Sequence, residues 1–172
     1  MRNKPILLFL LLFLASGSYT SAQKCPSGKK DKKSGTENFS YIFTSKDYYS
    51  LLVQKETSYQ DTSAAPKYWL LFTAASRVQF SDSMLATKGV IELRLTNGNV
   101  VTIDSVNYMN APVGNGSLGF SAHPSEETIS MLTSSPIEML TVKNVLSTSF
   151  ATKKQHEHPA IFTCLLQAKP KQ

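Results

Sequence analysis

The chain has 172 residues, is 41% hydrophobic, and carries two cysteines and a formal charge of +6. That length suits one domain whose core is large enough to need neither a structural metal nor a dense disulfide framework. The charge is local: residues 24–33 hold five lysines against Asp31, whereas residues 34–172 hold 11 basic and 11 acidic side chains. The basic stripe along a folded surface that nucleic-acid binding requires is therefore not expected.

Residues 1–22 read as a secretory signal peptide. Arg2 and Lys4 precede an unbroken apolar run over 6–14, and the chain then turns small and polar to an expected cleavage after Ala22. The run is too short to span a hydrocarbon core, which needs roughly 20 apolar residues. Export is the expectation, to the periplasm or the extracellular medium. Residues 23–36 are read as a flexible lysine-rich arm, dispensable to the fold and suited at most to weak attachment to an anionic surface. Residues 37–172 are read as a single β-rich domain.

Cys25 and Cys164 lie near the two ends of the mature chain. An oxidising compartment favours their pairing, so one intramolecular bridge is expected, the alternatives being two free thiols or a cross-linked dimer. A lipid anchor on Cys25 would need the cysteine directly after the apolar run and a small residue. Here Ala22-Gln23-Lys24 intervenes.

From Phe39 onward, short β-branched and aromatic runs alternate with turn residues, the spacing of an antiparallel sheet or sandwich. Strands are predicted over 39–43, 48–55 and 67–75, with 56–66 as a long polar hairpin loop. Tyr68-Trp69-Leu70-Leu71-Phe72 is the densest aromatic patch and is read as a core strand buried on both faces, the other reading being an exposed ligand platform. Over 90–104 the dipeptide Asn97-Gly98 marks a hairpin. A two-residue loop would scatter Val101 and Ile103 onto the face of Glu92 and Arg94. A three-residue loop, Thr96-Asn97-Gly98 with Gly98 left-handed, pairs Leu93 with Val101 and Ile91 with Ile103, so that every large apolar side chain shares one face.

After a loose segment over 108–116, a strand is predicted over 118–123. A helix follows near 125–134, capped by Ser125, with Glu126 and Glu127 in its first turn and Pro136 ending it. Strands are expected over 137–143 and 145–152, and a short C-terminal helix over 159–168 with Pro159 in its first turn and Ile161, Phe162, Leu165 and Leu166 at helical spacing. The fold class is thus α+β, mainly β.

No motif assigns an activity. Gly114-Asn115-Gly116-Ser117-Leu118-Gly119 matches the letters of a dinucleotide fingerprint, but a strand rather than a helix follows it, so it reads as turn chemistry. His156 and His158 would project to one side of an extended segment and, with His123, are the candidate metal ligands. Their ordinary reading is as solvent-exposed residues in a polar loop. No nucleophile elbow or zinc-protease signature occurs, and Glu126 and Glu127 are neighbours that do not face a common substrate. Catalytic residues, cofactor-binding residues and cofactors are accordingly read as none. Asn38-Phe39-Ser40 and Asn115-Gly116-Ser117 are glycosylation acceptors by pattern.

Lys88-Gly89 leading into Leu93-Arg94-Leu95-Thr96-Asn97-Gly98, with Ile129, Leu132 and Pro136-Ile137, resembles small uncharacterised exported β-rich proteins of the Bacteroidota. The likeness covers residues 88–143 and implies location and fold rather than activity. Taken together, the sequence points to an exported, non-catalytic binding or structural domain with a protein or glycan ligand. The alternatives are a secreted hydrolase with dispersed catalytic residues, signalled by a polar cleft around His123, His156 or Asp104, and a histidine-based metal carrier.

Overall fold

The computed structural model describes residues 25–44, 49–75, 79–111, 117–150 and 154–170. The signal-peptide reading therefore falls outside the described residues, as do Gly114, Asn115 and Gly116 of the glycine pattern. Within the described residues nine strands form one antiparallel sheet: β1 (Gly28–Asp31), β2 (Thr36–Thr44), β3 (Tyr49–Ser58), β4 (Lys67–Ala75), β5 (Lys88–Leu95), β6 (Val100–Ala111), β7 (Ser117–Ala122), β8 (Ile137–Val142) and β9 (Leu146–Ser149). Among the described residues three helices accompany it: α1 (Asp82–Leu85), α2 (Glu126–Met131) and α3 (His158–Gln167), the last entered through a 3-10 turn at Gln155–Glu157. The spatial order is β1-β2-β3-β4-β7-β6-β5-β8-β9. The mainly β class with a short C-terminal helix is as expected, in the form of one continuous sheet.

Alternation along the strands separates two faces. Phe39 and Phe43 of β2, Leu51 and Val53 of β3, Leu70 and Phe72 of β4, and Phe120 of β7 are buried in one core with Ile129 of α2, Leu132 at its C-terminal cap, and Ile161, Phe162 and Leu165 of α3. The aromatic patch on β4 obeys the same period. Tyr68, Leu70 and Phe72 are buried while Trp69 is 38% exposed, which corrects the expectation of a strand buried on both faces. Helices cover only one side of the sheet, so every second residue meets water.

The 90–104 hairpin has the anticipated register, with Leu93 opposite Val101 and Ile91 opposite Ile103. Gly98 N–H donates to the Leu95 carbonyl at 2.9 Å, Leu95 N–H donates to the Asn99 carbonyl at 2.8 Å, and Gly98 sits at φ +87°. Gly98→Ala forces an L-residue into that left-handed position and is expected to cost about 1 kcal/mol. The check is a lower urea midpoint with an unchanged slope; an unchanged midpoint would mean that the turn carries no conformational demand at Gly98.

The segment expected to be loose over 108–116 is strand as far as Ala111, and its remainder, 112–116, lies outside the described residues. Ser105 adopts φ +60° and the register shifts between β5 and β6. Ile103 and Val106 are consequently both buried, and β6 continues to Ala111. An extra residue in one strand rotates everything after it by one face, so a period-2 pattern read from Ile103 fails at Val106. At α2 the cap is as predicted: the Ser125 hydroxyl accepts from Thr128 N–H at 3.1 Å.

The lysine-rich segment differs most from expectation. Residues 28–31 are an edge strand pairing with β2, Gly28 opposite Phe39 and Asp31 opposite Thr36. Lysines along an outermost strand keep its unpaired backbone edge from recruiting other chains. Cys25 and Cys164 are joined in a disulfide with their Cα atoms 5.4 Å apart, which ties the start of β1 to α3. Deleting residues 23–33 would remove an edge strand and half of that bridge, so the segment is part of the fold and not a free arm.

Candidate ligand-binding cleft

Among the described residues, the charged side chains built into the interior are Glu37 on β2, 1% exposed, and Lys55 on β3. Lys55 is 5% exposed, and its ammonium donates to the carbonyls of Leu166 at 2.7 Å and Ala168 at 3.0 Å. These carbonyls lie at the end of α3, where the last turn leaves acceptors without helical partners and the helix dipole is negative. Burial pushes the Lys55 pKa below its ordinary value, opposed by the Glu126 carboxylate. Lys55→Met keeps the apolar stem but removes that donor, and a loss of about 1.5–3 kcal/mol is expected from charged hydrogen bonds of this kind. Urea denaturation measures it; equal stability of the variant would show that the ammonium adds nothing to the end of α3.

Tyr68 lies beside this lysine, with its ring centroid 5.8 Å from Lys55 Nζ. Its hydroxyl is buried without a hydrogen-bond partner among the described residues, and burial together with the nearby Glu126 carboxylate pushes its pKa up to about 12. The phenol therefore stays neutral at any physiological pH.

Above Lys55, the end of β3, the loop into β4 and the residues after α3 enclose a cleft of about 340 Å³. Its walls include Thr57, Ser58, Tyr59, Thr62, Pro66 and Lys169. That volume is at the small end of the range for small-molecule sites. Tyr59 joins the cleft to the edge strand: its hydroxyl donates to the Asp31 carbonyl at 3.4 Å, its N–H donates to the Gly35 carbonyl at 3.1 Å, and Lys30 Nζ stands 5.2 Å from its ring centroid. The edge lysines and the cleft are thus one continuous surface. The neighbouring acids are turned into their own loops, Asp31 accepting from Lys33 N–H at 2.9 Å and Asp61 from Ser63 N–H at 3.0 Å and Ser63 hydroxyl at 2.6 Å. Those bonds hold both carboxyl pKa values below their usual range.

The three histidines occupy different environments. His123 follows β7 and meets Trp69 edge-on, with ring centroids 3.8 Å apart. His156 lies in the 3-10 turn, and His158 begins α3, so the segment is not extended and does not present its imidazoles side by side. His158 is fully buried, contradicting the reading of a solvent-exposed loop residue, and neither ring nitrogen has a hydrogen-bond partner among the described residues. Its ring packs on Phe43 at 4.5 Å and Phe150 at 5.9 Å between centroids. Burial lowers its pKa to about 4, with His156 adding repulsion. No group of three His, Cys, Asp or Glu side chains suited to a metal ion occurs among the described residues. Asp104 is exposed on β6 and does not line the cleft.

Sequence reasoning missed the cleft. Tyr59 sits in a polar stretch read as loop, and Lys169 follows the last helix with no motif around it. Only the approach of β3 to the end of α3, over more than a hundred residues of chain, brings them together. No protein-family model, curated protein or solved structure matches this chain. No helix among the described residues is long and apolar enough to cross a membrane.

Proposed function

We propose that this chain is an exported, non-catalytic binding domain of the cell envelope or secretome whose ligand is a glycan seated in the cleft beside Tyr59. The observation that carries the reading is the cleft's mixture of groups: an aromatic ring, the hydroxyls of Thr57, Ser58 and Thr62, and apolar proline. An aromatic surface receives the C–H face of a sugar ring while hydroxyls exchange hydrogen bonds with those of the sugar, and a pocket of few polar groups on apolar walls fixes orientation. Export is supported by the leader-like residues 1–22 and is compatible with the disulfide.

The test is affinity electrophoresis of the mature protein through gels containing neutral or acidic polysaccharides. Retardation by at least one polysaccharide is expected, and Tyr59→Ala should abolish most of it. Migration unaffected by every polysaccharide would reject the glycan reading.

A further inference from the structure

We infer that the cleft is selective for sugars bearing a carboxylate, and that the acidic chain continues from it along the lysine-bearing edge of the sheet. The inference rests on the glycan reading above and adds the ligand's charge class and direction. Three cations lie at the cleft or beside it: Lys30 stands over the Tyr59 ring, and the exposed Lys169 and the buried Lys55 line the same cleft as Tyr59. Lys55 is committed to the carbonyls that end α3, so its charge is fixed in place rather than swung out to meet a ligand. Lys169 has the free reach to pair directly with a carboxylate.

Asp31 and Asp61, bonded within their own turns, keep their negative charge, and the buried Glu37 lies opposite Lys30 and Thr57, so these three acids offset part of the positive charge; Lys29, Lys30, Lys32, Lys33 and Lys169 outnumber them. The two ion pairs among the described residues, Arg94 with Glu138 and Lys154 with Glu157, involve none of these lysines. A neutral sugar would leave Lys169 and Lys30 unused, while a uronate residue places its ring on Tyr59 and its carboxylate toward Lys169. From there Lys30 on the near face of β1 and Lys32 and Lys33 of the following turn supply further positive charge, with Lys29 on the other face of the same strand, which suits a polymer with a repeating carboxylate rather than a single sugar. Charges held at the surface of a cleft focus such a ligand and make its binding salt-dependent.

Isothermal titration of the mature, disulfide-bonded protein tests this with three probes. They are an oligogalacturonate, the same oligosaccharide fully methyl-esterified, and a polyphosphate of similar length and charge. The oligogalacturonate is expected to bind at least ten-fold more tightly than its ester, and to weaken about ten-fold with Lys169→Ala and again with Tyr59→Ala. Circular dichroism and thermal melting establish that both variants are folded, since both substitutions lie at the surface.

Equal affinity for the acid and its ester would overturn the charge selectivity while leaving the glycan reading intact. Polyphosphate binding as tightly as oligogalacturonate, with Tyr59→Ala without effect on either, would reduce the site to nonspecific charge attraction and overturn the inference. Absence of binding by all three probes would also overturn it, and neutral polysaccharide retention in gels then decides whether the broader reading stands.

Discussion

Replacing Cys25 and Cys164 together by serine is expected to destabilise the protein by about 4–5 kcal/mol. The bridge spans a sequence separation of 139 residues, and in the chain-entropy model cross-linking so long a loop removes much of the unfolded chain's freedom. For a domain of this size the loss corresponds to a fall in melting temperature of roughly 10 °C or more. Local consequences should precede global ones. The strand β1 places no side chain in the main core, three of its four residues being exposed, so its attachment depends on the ladder to β2, on Tyr59 and on the disulfide. In hydrogen exchange, amides of residues 28–31 should lose protection on reduction before those of β3 and β4 do. A melting temperature indifferent to reductant would show that the unfolded chain is already constrained without the bridge.

Acidification should destabilise the protein through His158 before the carboxylates matter. Its imidazole is fully buried against Phe43 and Phe150 and lies at the first residue of α3, where the helix dipole also opposes positive charge. The folded pKa of about 4 is below the ordinary value of 6.5, so between those limits the unfolded chain binds the extra proton. Stability is complete above pH 6.5 and declines as pH falls toward 4, by about 1.4 kcal/mol per unit and about 3 kcal/mol in total.

Urea denaturation at several pH values between 7 and 4 reads this slope directly. His158→Leu should flatten it, and should also raise stability at neutral pH because two unpartnered ring nitrogens leave the core. If the variant keeps the wild-type slope, another group is responsible for the acid sensitivity.

The lysine-rich segment shows how composition can mislead where pairing decides. Lys29, Lys30, Lys32 and Lys33 have the make-up of a solvated arm, and as side chains they are solvated. Their backbone is nevertheless paired, because strand pairing uses N–H and C=O groups that every residue except proline supplies. The same separation of side chain from backbone explains Trp69. Its neighbours are as apolar as a doubly buried strand requires, yet helices pack on only one side of the sheet and the indole is left partly in water. His158 erred in the opposite direction: a polar residue beside Glu157 and Pro159 looks exposed, but the start of α3 is pressed onto Phe43.

What the sequence determined by itself is what acts within a few residues. The hairpin register followed from requiring Ile91, Leu93, Val101 and Ile103 to share a face, the α2 cap from Ser125 preceding two acids, and the closing helix from the spacing of Ile161, Phe162 and Leu165. Cysteine arithmetic supplied the single bridge. Only the tertiary structure decided that β4 pairs with β7 rather than β5, that β5 pairs with β8, that residues 28–31 add to the sheet, and that Ser105 carries a bulge. Those choices depend on which distant strands close a loop and bury a common core, energies that no local window contains. The cleft belongs to the same class, since Tyr59 and Lys169 become neighbours only when Lys55 reaches the carbonyls at the end of α3.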